Sequence, residues 1–469
     1  MSSQLPAIDA DPFAEDSDFP DAGVPSPLPG AWPVLGHAPA LLRDPLALLA
    51  VAGRRGPLTI ARLGPVRAYL VTDPALIRTI LVRDAADYDK GFQFDTLRAL
   101  IGDGVGTSSG AAHRRNKKLV RSAFDHSAVE RYAADMAGQT ERFLDTRWAP
   151  AAAERAVVDA ALELRMLAMR LVTHSMSGSE LAADEVMAAL PELLSGAGRR
   201  ALLPIRTLDR LPTPGNRRFE QSLAAVHAVA DGMVAQHRER TAKHDADAEP
   251  TLLSILLSAV DEDGTGLTDR QAHDEIMTLL LAGTETAAGV LAWALHLLAE
   301  NPELQQRIRA EVLAVTDGRA PTVAEMRRFT LTERFVKEIL RLYPPGWIVG
   351  RRPLRDVRMN GVPVPARSQV LLNFYGLHRD PDAFPDPDRF DPDRWIDPDP
   401  ETVATYFLPF GMGPRGCLGE GYAWTEIYGV LSAVVTRYRL ESVPGSRVRA
   451  VARTTLHPDT VPLRLVRID

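Results

Sequence analysis

The 469-residue chain contains one cysteine, Cys417. A single thiol excludes an internal disulfide and any multi-cysteine zinc or iron–sulfur site, and it fits a reducing compartment. Residues 1–42 hold no Lys or Arg, are rich in Pro, and carry six acids by Asp21. That is the reverse of a signal peptide, so residues 1–27 are expected to be a disordered acidic leader and residues 28–469 one domain. The apolar run near Leu41–Val51 is interrupted by Arg43, Asp44 and Pro45 and cannot span a bilayer. No membrane anchor is expected, and the location is expected to be cytoplasmic. A net charge of −7 argues against nucleic-acid binding. The histidines are scattered, with no His-Glu-x-x-His. The hydrophobic fraction of 45% is that of a soluble globular chain with a large core.

Cys417 lies in Phe410-Gly411-Met412-Gly413-Pro414-Arg415-Gly416-Cys417-Leu418-Gly419, just ahead of an apolar segment, Tyr422–Tyr438, that reads as a helix. A thiolate there faces helix N-terminal amides, which lower a thiol pKa and favour metal ligation. The glycines let backbone approach a planar partner, and Arg415 can neutralise an anionic edge of it. Together these features point to one axial thiolate ligand for haem iron. Two other readings stand beside this one. A lone cysteine is commonly a small buried hydrophobe. Gly411, Gly413 and Gly416 also match Gly-x-Gly-x-x-Gly, which admits an NAD-dependent dehydrogenase. Too little chain follows Gly416 to complete a nucleotide domain.

Earlier in the chain, β-like runs at Leu58–Leu63 and Arg67–Val71 end in Thr72-Asp73-Pro74, a helix start. A Gly-rich stretch with Phe92 and Phe94 precedes a basic helix on which His113 and Lys117 share one face. Helical stretches broken at Gly178, Pro191, Gly196, Pro204 and Pro212–Gly215 then lead to a capping box at Thr268–Gln271. The helix it opens is nearly all apolar to Glu300 except at Gly283-Thr284-Glu285-Thr286, a costly insertion unless it faces a cavity or partners. Thr330–Glu333 reads as a second capping box, and in that helix Glu338 and Arg341 can pair. Strand-like runs follow at Val362–Val364 and Gln369–Asn373. The class is mainly α with small β-sheets.

These segments, in this order, resemble the cytochrome P450 family. Phe410–Gly419 is similar to its Phe-x-x-Gly-x-Arg-x-Cys-x-Gly haem signature, Ala282–Thr286 to its oxygen-activation motif, Glu338-x-x-Arg341 to Glu-x-x-Arg, and Phe384–Phe390 to Pro-x-x-Phe. The resemblance implies the soluble bacterial type of the fold, with haem b between a long kinked helix and the cysteine-loop helix. It implies Cys417 as metal ligand, with Phe410, Gly411, Gly419 and Gly283 beside the haem. His113, Lys117, Arg351 and Arg415 would hold the propionates, Arg352 being a weaker substitute for Arg351. Thr286 and Glu285 would organise proton delivery. Glu338, Arg341 and Arg389 would form a structural network. Phe92, Phe94, Trp347, Ile348, Val349 and Leu456 would face a lipophilic substrate of terpenoid type. The implied reaction is a monooxygenation using dioxygen. Electrons would pass from NAD(P)H through a separate ferredoxin reductase and ferredoxin to a monomer. A peroxide-driven enzyme and a haem-based sensor are the alternatives within reach of the same motifs.

Overall fold

The computed structural model describes residues 26–468 apart from 65, 179–182, 203–210 and 243–249. The leader through residue 25 and the break expected at Pro204 lie outside the described residues. Ser26–Pro27, assigned above to the leader, instead form strand β1, in parallel register with β2 (Leu58–Leu63) through Ser26↔Thr59. The free edge of β2 supplies their backbone partners, and Leu28 continues the contact by donating its N–H to Ile60 O at 3.2 Å.

With β3 (Val66–Val71), β4 (Tyr88–Lys90), β5 (Val349–Pro353) and β6 (Gln369–Leu372), these strands build one six-stranded sheet in the order β1-β2-β3-β6-β5-β4. Its alternate residues, among them Tyr69, Val71, Val370 and Leu372, enclose a small core of their own. Both N-terminal strands fall where the apolar alternation places them.

The helical body is far larger. It includes α1 (Phe92–Ile101), α2 (Gly110–Arg121), α3 (Ala160–Ser177), α4 (Ala183–Leu202), α5 (Pro214–Ala242), α6 (Asp269–Glu300), α7 (Leu331–Leu342) and α8 (Glu420–Arg437), with further helices between. The 32 residues of α6 span about 48 Å. Its capping box is present: Thr268 Oγ1 accepts from Gln271 N at 3.2 Å, and Gln271 Oε1 accepts from Thr268 N at 3.0 Å. Among the described residues, α6 is the one helix long and apolar enough to cross a membrane, and it is mostly buried inside the protein. Packing along α3, α5 and α8 accounts for its apolar surface all round.

Three local expectations change. α4 runs on through Pro191 and Gly196, both read as breaks. Gly196 serves close packing instead, since a Cβ there would stand 2.1 Å from Phe219 of α5. The start of α7 is not a capping box. Glu311 reaches over from the helix Pro302–Thr316, and its two oxygens accept from Thr330 N, Leu331 N and Thr332 N at 2.7–2.8 Å and from both threonine hydroxyls. An external carboxylate thus satisfies the orphan N–H groups that Glu333 was expected to serve.

The third change concerns the ion network. Glu338 and Arg341 are both 0% exposed and pair through two bonds of 2.9 and 2.8 Å. Arg389, expected as the third member, leaves its side chain 69% exposed. Arg394 takes the place, donating to Glu338 Oε1 at 2.9 Å, with Asp391 N and Trp395 Nε1 as further donors at 2.9 and 3.0 Å. A buried carboxylate needs all its lone pairs occupied, and Arg394 stands inside that shell while Arg389 offers only its carbonyl. Arg394→Ala is accordingly expected to cost about 3 kcal/mol and Arg389→Ala less than about 0.5 kcal/mol. Urea unfolding of both variants checks this; the reverse order would remove Arg394 from the network.

Candidate active site

Two bonds close the cysteine loop on itself, Cys417 N to Phe410 O at 2.9 Å and Gly416 N to Gly413 O at 3.0 Å. Gly411 and Gly413 adopt φ of 66° and 71°, a region that disfavours side chains. At Gly413 a Cβ would also stand 2.2 Å from Leu81 O, so this glycine seats the loop against the N-terminal half. Phe410 packs against Trp424 with ring centroids 5.8 Å apart, and Gly419 caps α8. The segment ahead of the loop is the helix Pro400–Tyr406 and an irregular stretch, not a strand. The strand–turn–helix context that a dinucleotide fingerprint requires is therefore missing, and that reading falls.

Cys417 is exposed to an opening, yet it sits deep among protein atoms. Burial pushes its thiol pKa up, and the Gly419 N–H and the Lys117 cation only partly offset this. The helix-terminus effect anticipated from sequence is thus outweighed by desolvation in the free thiol.

α6 provides a second opening. Ala282 is exposed between turns that bury Leu280 and Thr284, and Thr286 is half-buried. The helix continues unbroken through this stretch. The polar insertion is absorbed locally, since Thr284 Oγ1 donates to Leu280 O and Thr286 Oγ1 to Ala282 O, both at 2.7 Å. Gly283 faces away, toward α3, where a Cβ would meet Val172 Cγ2 at 2.9 Å. Glu285 Oε2 accepts from Thr454 and Thr455 hydroxyls at 3.0 and 2.9 Å, tying α6 to the Thr454–Leu456 turn.

Between the sheet and α2 lies a group of buried basic side chains. Lys90, His113 and Arg351 are each about 5–6% exposed, and Arg415 buries an Nη1 with no hydrogen-bond partner. No carboxylate of the described residues forms an ion pair with any of the four. Burial lowers Lys90 to about 7, His113 to about 4 and Arg351 to about 9, and lowers Arg415 too; neighbouring cations add to the lowering at Lys90, His113 and Arg351, Asp89 opposes it at Lys90, Arg351 and Arg415, and His113 is left neutral at neutral pH. Their available bonds go to carbonyls: Lys90 to Val105 O and Gly106 O at 3.0 and 2.6 Å, Arg351 to Gly350 O, Arg415 to Tyr88 O. Each cation taken from water without a partner costs several kcal/mol, so the arrangement suits a buried dianion. The two propionates of a haem fit it, and the nearby exposed Cys417 fits its iron.

Sequence reasoning missed Lys90. The only signal was a Lys in the short Tyr88–Lys90 run before Gly91, which reads as a solvated turn. Arg352 is committed elsewhere, paired with Asp95 at 2.7 Å and Asp89 at 3.0 Å. Lys117 points at the cysteine loop itself, donating to Pro414 O at 2.7 Å and Gly416 O at 3.4 Å. Of the pocket-wall candidates, Phe92, Phe94, Ile348 and Val349 keep partly accessible surface. Trp347 and Leu456 are each 1% exposed; Trp347 Nε1 donates to Arg453 O, and Leu456 N to Pro345 O. These two are packed in the core and back the wall from behind. Replacing Lys90 by Met is expected to speed haem transfer to excess apomyoglobin about tenfold, with Arg352→Met changing it less than about twofold. Equal rates would exclude Lys90 from the anion site.

A family model described as Cytochrome P450 matches residues 25–462. Cyclooctatin synthase of Streptomyces melanosporofaciens is 36% identical over 443 residues, 93% of this chain and 94% of that protein. Pentalenene oxygenase of Streptomyces avermitilis is also 36% identical, with 93% and 96% covered. A crystal structure of a cytochrome P450 superposes with a TM-score of 0.80 at 26% identity, covering 95% of this chain and all of the other. The exposed Cys417 thiol, the exposed Ala282 on α6 and the buried basic side chains without ion-pair partners agree with what these matches establish: the chain belongs to the cytochrome P450 family of haem-thiolate monooxygenases.

Proposed function

We propose that this enzyme oxidises a lipophilic terpenoid-class molecule with dioxygen and electrons from NAD(P)H, delivered by a ferredoxin reductase and a ferredoxin in the cytoplasm. Cys417, Phe410, Gly411, Gly419, the cations Lys90, Arg351 and Arg415 and the neutral His113 imidazole would hold the haem. When bound, the haem supplies reductive activation of dioxygen and transfer of one oxygen atom to substrate. The arrangement of a lone accessible thiol beside unpaired buried cations carries this reading.

The chain's own residues do the positioning. Lys117 braces the cysteine loop from α2 through the Pro414 and Gly416 carbonyls, which supports a positioning role more than a propionate contact. Thr286 gives its hydroxyl hydrogen to Ala282 O, which leaves its oxygen free to accept from water on the open side of α6. Such a hydroxyl can hold the water that hands on protons. Glu285 contributes by fixing the Thr454–Leu456 turn, and the proton path it was expected to feed runs past two threonine hydroxyls. Phe92, Phe94, Ile348 and Val349 leave apolar surface for substrate, which supports a lipophilic molecule. The names of the relatives, which include a cyclooctat-9-en-7-ol 5-monooxygenase, support a terpenoid. On the outer face, Arg114 and Arg121 stay exposed for an acidic ferredoxin, while Arg115 and Lys118 are tied to Asp261 and Glu262 at 2.8 and 2.6 Å. A peroxide-driven enzyme needs no positioned proton relay, so Thr286 favours dioxygen.

Two measurements test the assignment. The reduced carbon monoxide complex is expected to show the red-shifted absorption of thiolate ligation, and Cys417→Ser to abolish it; a band surviving in the variant would refute Cys417 as ligand. Thr286→Ala is expected to retain haem while product per NAD(P)H consumed falls about tenfold and peroxide rises. Unchanged coupling would reject the proton role and leave the peroxide-driven alternative standing.

A further inference from the structure

α1, α4, α5 and α6 converge on an apolar junction. Ile101, Leu193, Val226, Met277 and Leu280 are among the residues lining a void of only about 10 Å³ there. One polar chain crosses the edge of this junction. Asp231 Oδ1 lies 2.6 Å from His273 Nδ1, His273 Nε2 lies 2.8 Å from His227 Nδ1, and His227 Nε2 lies 2.9 Å from Leu100 O. The two imidazoles are within 7° of parallel. The chain therefore links α5 to α6, and α5 to the last turn of α1, whose terminal carbonyls have no partner within the helix.

Counting hydrogens shows what these contacts require. A carbonyl only accepts, so His227 Nε2 carries a hydrogen toward Leu100. If His227 is neutral its Nδ1 is bare, and His273 Nε2 must supply the hydrogen between the rings. The contact between His273 Nδ1 and Asp231 then needs a third. Two neutral imidazoles and a carboxylate own only two hydrogens, so the complete chain holds one additional proton on the His273–Asp231 side.

The surroundings agree with a neutral His227. Burial lowers its pKa first and the neighbouring His273 next; the Leu100 carbonyl and Asp231 oppose this, and Arg270 adds to the lowering. The other charges facing the group are engaged. On α6, Arg270 pairs with Asp274 at 3.1 Å, and Asp274 also accepts from Asp103 N at 2.9 Å. Further along, Asp269 of α6 pairs with Arg238 of α5 at 2.7 Å. The Asp231 side chain is 72% exposed, against 10% for His273, so Asp231 is where solvent reaches the proton.

We propose that Asp231, His273 and His227 form a proton-loaded latch that holds the end of α1 against α5 and α6 and lets it go when the additional proton is lost. With two hydrogens for three contacts, one contact must open. The latch is complete on the acid side and is lost as pH rises, because the released proton belongs to the closed form. α1 carries Phe92 and Phe94, so the latch governs how readily that wall moves and how fast an apolar ligand enters. This inference does not rest on the substrate class.

Hydrogen–deuterium exchange of the amides of residues 98–106 in the haem-loaded protein tests it, followed from about pH 5 to about pH 8. After correction for intrinsic rates, protection should fall about tenfold with rising pH, the worth of one charge-assisted hydrogen bond. Two variants should remove the dependence in opposite directions. In Asp231→Asn the amide donates the missing hydrogen itself, so protection stays high at every pH. In His227→Phe protection stays at the low, high-pH level throughout. Asp269→Asn, which cuts the neighbouring α5–α6 pair, should keep the wild-type response. A wild-type profile flat in pH, or a pH response surviving in Asp231→Asn or His227→Phe, overturns the latch.

Discussion

The Glu338 carboxylate, fully enclosed and approached by five donors, is the interaction on which the C-terminal third of the molecule depends. Burying a carboxylate is unfavourable by several kcal/mol unless every lone pair is used. Here the donors come from α7 itself and from Asp391, Arg394 and Trp395, more than fifty positions later. Satisfying one charge therefore fastens to α7 the segment that leads into Phe410–Cys417. The loop inherits its place from that node and from Gly413, which is pressed against Leu81 where no side chain would fit.

The group of basic side chains proposed to meet the haem is built on the opposite principle. Around Glu338 every charge is answered, whereas Lys90, His113, Arg351 and Arg415 share a buried region with no ion-pair partner among the described residues. Each loses hydration, which lowers the proton affinity of all four, and neighbouring cations add to this at Lys90, His113 and Arg351. The protein alone bears that cost, and a bound dianion relieves it. Under the proposed assignment, the groups that would favour haem binding would also leave the haem-free protein the less stable form.

Much of this was legible because it is local or periodic. The alternation in Leu58–Leu63, the capping box at Thr268 and the glycine spacing around Cys417 each follow from short-range stereochemistry, and each stands where the sequence placed it. What failed depends on residues far apart in the chain. Arg389 and Arg394 are equally plausible partners for Glu338 on paper; only the path of the chain past Asp391 decides between them. Glu311 caps α7 from another helix, a contact no window around Thr330 contains. Lys90 reads as a solvated turn until β4 is seen paired with β5 inside the sheet. Trp347 and Leu456 were chosen for apolarity, which does not distinguish a cavity wall from the core behind it.

Arg341 adds a kinetic consequence. Besides Glu338, its guanidinium donates to the carbonyls of His378, Pro387 and Arg389. A buried guanidinium is tolerated only while those acceptors remain in place, so the stretch from His378 to Arg389 cannot peel away one turn at a time. It leaves as a unit or not at all, and the approach to the cysteine loop, where Leu408 N–H bonds to His378 Nε2, goes with it. Local fraying is thereby converted into a rare, cooperative opening. The metal-binding end of the chain should outlast the exposed helices around it when the protein is heated or attacked by protease.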